Sequence, residues 1–193
     1  MSEQQTVVLL DGGMGQELIK RSANAPTPLW SATVMRDEPD LVTTVHADYI
    51  QADARVITLN NYSATPVRLA KHGLSAAFSE LHQAAITAAQ RAIAQTKPTH
   101  PIAVAGCLPP LVSSYHAEDV PSEAACLADY RALVAAQKDG VNLFLCETLT
   151  TVREVQTAAT AGKESGHPVW VGMTVDDQDG TRLRSGESLA DGV

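Results

Sequence analysis

VVLLDGGMGQEL, residues 7–18, is a short apolar run that stops abruptly at an acid and a pair of glycines. Such a run reads as a β-strand ending in a turn. In α/β proteins the residues just past a strand's carboxyl end are where ligands bind. The same unit recurs downstream as VITL (56–59), PIAVAG (101–106), VNLFLCE (141–147) and VWVGMTV (169–175). Helical patterns separate these runs. PDLVTTVHADYIQAD (39–53) has Pro39 in its first turn, Asp37 placed to cap it, and Leu41, Val45, Tyr49 and Ala52 on one face. A second helix over 75–96 carries Phe78, Leu81, Ala85, Ala88 and Ala92 at helical spacing. A third runs from about Pro121 to Lys138 and stops at Gly140, and Thr151 with Glu154 has the spacing of a capping box opening a fourth.

Strands separated by single helices pair in parallel through right-handed crossovers. Two architectures accept that order, an open doubly wound sheet and a closed eight-stranded barrel. Five runs in 193 residues satisfy an open sheet and make an incomplete barrel, since the closed form needs eight strands and typically about 250 residues. The pattern alone leans towards the open sheet.

Composition narrows the function. The chain is 45% apolar and 19% charged, which excludes a disordered polymer, and its length suffices for one domain with a real core. Its net charge of −8, with no basic stretch, argues against a nucleic-acid partner. No apolar run approaches the ~20 residues that span a bilayer, so no membrane role is expected. The opening MSEQQTVVLLDGG lacks a basic leader and a cleavable apolar stretch, and Cys107, Cys126 and Cys146 form no C-x-x-C pair. Both features suit a reducing, cytoplasmic location.

The strand ends supply the candidate chemistry. They are Asp11-Gly12-Gly13-Met14-Gly15, then Asn60-Asn61-Tyr62, Gly106-Cys107-Leu108-Pro109-Pro110, and Glu147-Thr148. The glycine turn is not a dinucleotide fingerprint, because Leu18 stands where the third glycine is required, and no phosphate-loop Gly-Lys-Ser/Thr occurs. A carboxylate directly after four apolar residues costs free energy unless something pairs with it, so Asp11 is read as working on a ligand in preference to the alternative, capping the turn. Glu147 has a similar claim. If it faces the mouth, alternation turns Leu143 and Leu145 inward with it and Phe144 and Cys146 outward against helices. Cys126 and Cys146 then read as packed thiols, and only Cys107 can approach the mouth. The six histidines show no metal-binding spacing, no lysine ends a strand, and there is no G-x-S-x-G elbow. What remains is a mouth suited to a small zwitterion, with carboxylates for an amine and turn N–H groups for a carboxylate.

LLDGGMGQEL (9–18), PLW (28–30), ARVITLNNYSAT (54–65), VAGCLPP (104–110), ETLTTVREVQ (147–156) and DGTRLRSGE (179–187) together resemble the homocysteine S-methyltransferase family, in its order and spacing. The resemblance implies a (β/α)8 TIM-type barrel, here a single domain over 1–193 that is truncated after about its fifth strand. It implies methyl transfer to homocysteine, giving methionine, from a donor of S-methylmethionine, S-adenosylmethionine or betaine type. It also implies zinc, which deprotonates a thiol whose ordinary pKa is near 8.5. Carried over position by position, Asp11 and Glu147 hold the homocysteine amino group, the Gly12 backbone meets its carboxylate, Trp30 matches an aromatic near the pocket, and Asn60 and Tyr62 match the strand-2 signature.

Two departures stand out. The family's strand-2 signature reads close to T-N-T-Y, whereas this chain has Leu59-Asn60-Asn61-Tyr62; Leu59 removes a hydroxyl that can help bind the substrate, and Asn61 is a candidate replacement donor. The family's three zinc cysteines, one after strand 6 and a G-G-C-C pair after strand 8, match nothing in this sequence. The 193 residues alone are therefore expected to bind no stoichiometric zinc, to turn nothing over, and to be marginally stable or prone to aggregate. The rival reading is a non-catalytic remnant that keeps part of an amino-acid pocket. A third is an open-sheet enzyme using Asp11 and Glu147. The sequence carries no signal for oligomeric state.

Overall fold

The computed structural model describes residues 7–25, 27 and 29–193, the side chain of Trp30 excepted. Its centre is a parallel sheet of β1 (Val56–Thr58), β2 (Ala103–Leu108), β3 (Leu143–Leu149) and β4 (Val169–Met173), arranged in sequence order β1-β2-β3-β4. The apolar run 7–10 lies beside β1. Leu10 forms a parallel bridge with Val56, the Arg55 amide donates to Leu9 O (2.8 Å), and the Asp11 amide donates to Val56 O (3.0 Å). The expected first strand is thus a single bridge with flanking hydrogen bonds rather than a full ladder. Its apolar side chains remain open to solvent, from 42% exposed at Leu10 to 89% at Val7, so little packing fixes the run beyond its contact with β1.

Alternation along the strands sorts two faces. Val56, Ala105 and Leu143 form a small cluster with Ala103 and Leu145 on one face. Ile57, Val104, Leu108, Phe144, Cys146 and Leu149 join the main core with the helices on the other. The inward set Leu143 and Leu145 and the outward set Phe144 and Cys146 follow the strict period of two expected from the sequence.

The helices are α1 (Met14–Arg21), α2 (Trp30–Asp37), α3 (Pro39–Gln51), α4 (Pro66–Lys71), α5 (Phe78–Thr96), α6 (Glu123–Gln137) and α7 (Val152–Glu164). Pro39 opens α3 as expected, but Asp37 does not cap it. The Asp37 carboxylate pairs with Arg36 at the end of α2, and Glu38 occupies the cap position without capping the helix, its carboxylate accepting instead from Ser22 Oγ and Asn24 Nδ2. The face of α3 is also rotated from the expected one. Val42, Val45, His46 and Ile50 are buried while Ala52 is exposed, because α3 packs against α5 and α2 as well as the sheet. On α5, Leu81, Ala85, Ala88 and Ala92 are buried as their spacing predicts. The capping box forms in full: Thr151 Oγ1 accepts from the Glu154 amide (3.1 Å), and Glu154 reaches back to the amides of Thr150 (3.0 Å) and Thr151 (3.2 Å).

Candidate functional site

The carboxyl ends of the 7–10 segment, β1 and β3 open onto one cavity of about 590 Å³, lined by residues that include Asp11, Gly12, Asn60, Tyr62 and Glu147. Asp11 reaches it because its own amide is fastened to Val56 O. Its carboxylate accepts from the Thr58 amide (2.7 Å) and the Thr58 hydroxyl (3.1 Å). Those two bonds fix the side chain without supplying a positive charge. Burial is the main reason its pKa rises to about 6; the Thr58 bonds oppose the rise and the Glu147 charge adds to it.

Glu147 enters from β3, on the same face as Leu143 and Leu145. The Cys107 thiol donates to its Oε1 (2.9 Å), and burial raises its pKa above the ordinary carboxylate range. Cys107 itself is wholly buried, and desolvation with the neighbouring carboxylate drives its pKa far up, so it is a neutral thiol donor. The Gln137 side chain holds it in place, accepting from the Cys107 amide (2.9 Å) and donating to its carbonyl (3.2 Å). Among the described ion pairs, neither Asp11 nor Glu147 has a cation. Two carboxylates therefore face one cavity with no ion-pair partner among the described residues; the Arg68 guanidinium also lines the cavity but is spent on three backbone carbonyls.

Gly12 sits where a side chain has no room. A Cβ there would lie 2.8 Å from the Tyr49 ring, so the backbone runs between ring and cavity, and Gly13 to Gly15 continue the wall as the start of α1. Asn60 is buried and donates to Ser31 O (3.3 Å). The Tyr62 hydroxyl pairs with Ser114 Oγ (2.6 Å), and the Arg68 guanidinium lies 5.2 Å from its ring centre. Arg68 donates to the carbonyls of Val112 (2.9 Å), Tyr62 (3.3 Å) and Pro110 (2.9 Å), tying the loop after β1 to the loop after β2. Trp30 opens α2 beside Ser31, which lines the cavity; the Trp30 side chain lies outside the described residues.

One residue differs from its sequence reading. Leu59 lines the cavity as expected of its neighbourhood, but Asn61 does not replace the lost hydroxyl. Its amide turns into the core, where Nδ2 meets His82 Nδ1 (2.7 Å). Thr58, Ser31, Ser63 and Arg68 line the cavity without having been singled out. Thr58 had a readable signal, since period two puts it on the face of Asn60; Arg68 had none, because its role depends on which loops meet above it.

Among the described residues, no three of His, Cys, Asp and Glu stand together as metal ligands. Cys107 is engaged by Glu147, Cys146 packs on the helix side, and the Cys126 thiol donates to Pro121 O (3.5 Å). The described donor set does not fit a zinc site.

A family profile for homocysteine S-methyltransferase matches residues 8–193. The chain is 33% identical to Homocysteine S-methyltransferase of Escherichia coli (strain K12), over 98% of this chain and 67% of that protein. It is 29% identical to Homocysteine S-methyltransferase 3 of Zea mays, over 94% of this chain and 60% of that protein. In three dimensions it superposes on the metallated form of the E. coli homocysteine methyltransferase MmuM with a TM-score of 0.84 and 30% identity, covering 98% of this chain and 69% of that one. The chain thus spans about two thirds of the length of these relatives. With a carboxylate-lined mouth at the strand ends and a family match running over residues 8–193, the chain belongs to the homocysteine S-methyltransferase family.

Proposed function

We propose that this chain binds the acceptor amino acid of a methyl transfer, homocysteine, at the mouth of a (β/α)8-type arc. The unreversed strand order, with helices packed on one face and a small apolar cluster on the other, supports the barrel reading over a doubly wound sheet, whose order reverses at a switch point. The observation that carries the function is the pair Asp11 and Glu147 in one cavity without a cation of their own. An α-ammonium group entering there supplies the missing positive charge to both carboxylates. The Gly12 backbone and the amino-terminal end of α1 receive the α-carboxylate, since helix amino termini favour negative charge. Asn60 and Tyr62 form the wall past which the side chain extends, with Trp30 nearby on α2.

In this reading the chain's residues bind and orient the amino acid and exclude water from its charged end. Zinc, implied by the family, would favour the thiolate form of the substrate; the described residues do not hold it. Donors of S-methylmethionine, S-adenosylmethionine or betaine type all deliver a methyl group to the same thiol, so the acceptor site is common to them.

Calorimetric titration with homocysteine at pH 7.5 tests the proposal. Asp11→Asn and Glu147→Gln should each weaken binding by about tenfold or more, as expected for losing a charged hydrogen-bond partner. Unchanged affinity in both variants overturns it.

A further inference from the structure

The end of β3 breaks the rule the rest of the strand obeys. Between Cys146 and Leu149 the chain advances three positions while its partner β4 advances two, from Val171 to Met173, so β3 carries one extra residue there. Cys146 and Leu149 both face the helix-side core, which a regular alternation over three positions would forbid. The insertion falls on Glu147 and Thr148. Thr148 takes it up with φ at +63°, a left-handed conformation that a β-branched residue rarely adopts and that glycine would adopt freely. Strain of this kind persists where the surrounding structure enforces it, and such positions gather at functional sites.

The surroundings here are specific. Burial raises the Tyr62 pKa, and the Ser114 hydroxyl (2.6 Å) and then the Thr148 side chain oppose that rise, which sets Thr148 beside the Tyr62 hydroxyl. Tyr62 in turn sits under Arg68, whose three carbonyl bonds tie the loops after β1 and β2 together. The extra residue lets Glu147 face the cavity while Leu149 still reaches the core.

We propose that Thr148 is a positioning residue for amino-acid recognition: its left-handed bulge, set beside the Tyr62 hydroxyl, holds the Glu147 carboxylate at the ammonium end of the pocket. The inference rests on the amino-acid reading above and assigns to Thr148 the discrimination between an amino acid and the same molecule without its amine.

Ligand-observed NMR titrations of this chain with homocysteine and with 4-mercaptobutanoate, which keeps the thiol and carboxylate and lacks the amine, read that discrimination directly. The wild-type chain should prefer homocysteine. Thr148→Gly frees the backbone and removes the hydroxyl, so its preference should fall by about tenfold while its affinity for 4-mercaptobutanoate stays unchanged. Thr148→Ser keeps the hydroxyl and should retain the preference. A Thr148→Gly variant that keeps the wild-type ratio, or that weakens both ligands equally, overturns the role. Should Thr148→Gly fail to show a cooperative thermal melt, Thr148→Val keeps the shape without the hydroxyl; a lowered ratio there supports the role and an unchanged one overturns it. A wild-type chain with no preference for homocysteine overturns the amino-acid reading itself, and this inference with it.

Discussion

Asp11 has the clearest consequence among the single residues. Its folded-state pKa of about 6 lies above the ordinary 3.8, so the folded protein holds a proton that the unfolded chain has released over the window between those values. Stability from this group therefore falls as pH rises from about 4 to 6 and stays lower above. Asp11→Asn removes the buried charge while keeping a hydrogen-bonding side chain for Thr58. The variant should be more stable than wild type by about 1–3 kcal/mol at pH 7.5, and the gap should shrink as pH is lowered towards 4. Urea unfolding of both proteins across that range checks this, and a gap that widens at low pH would contradict it. A site that gains stability when its carboxylate is removed is a site arranged for a cation that comes with the ligand. Asp11, Gly12 and Glu147 were legible in the sequence because each ends an apolar run, and a strand end fixes a position in space. Thr58, Cys107 and Arg68 were not read as partners, since their bonds join segments far apart in the chain.

Among the elements, α7 shows how a local signal becomes a tertiary one. Glu154 is only 2% exposed, and its Oε2 accepts from the amides and hydroxyls of both Thr150 and Thr151. Thr150 lies directly past the carboxyl end of β3, so the capping box also fixes the turn that follows the Glu147 bulge. Glu154→Ala leaves several buried donors without an acceptor and should cost about 2–3 kcal/mol in urea unfolding, more than an exposed cap would. A loss under about 0.5 kcal/mol would mean that water replaces the carboxylate there. The spacing of Thr151 and Glu154 announced this helix start from sequence alone, because both partners lie within one turn. Asp37 had the same local credentials and failed, because Arg36 next to it competes for the carboxylate. The glycine turn concealed α1, and α2 and α4 were equally unanticipated; all three are short, so few positions mark each one.

At the scale of the molecule, the sheet has two dissimilar margins. On one side the 7–10 run exposes Val7, Val8, Leu9 and Leu10; on the other β4 exposes Trp170 and Val171. Apolar sheet margins of this kind recruit other strands. The protein should therefore self-associate as its concentration rises, and Trp170→Lys should weaken that association; light scattering coupled to size exclusion reads both. A monodisperse monomer across the range would contradict this. The parallel order and the inward and outward sets of β3 were legible from period and spacing, whereas the choice between open sheet and barrel was not, since it depends on curvature that a strand count does not encode. The family resemblance pointed to the barrel, and the one-sided helix layer supports it. The account as a whole stands on how an amino acid sits at the strand ends, and a crystal structure of the chain soaked with homocysteine tests that most directly. The account predicts the amino nitrogen within hydrogen-bonding distance of both Asp11 and Glu147 and the carboxylate at the Gly12 turn. Homocysteine bound with its carboxylate towards Asp11, or bound outside this cavity, would contradict it.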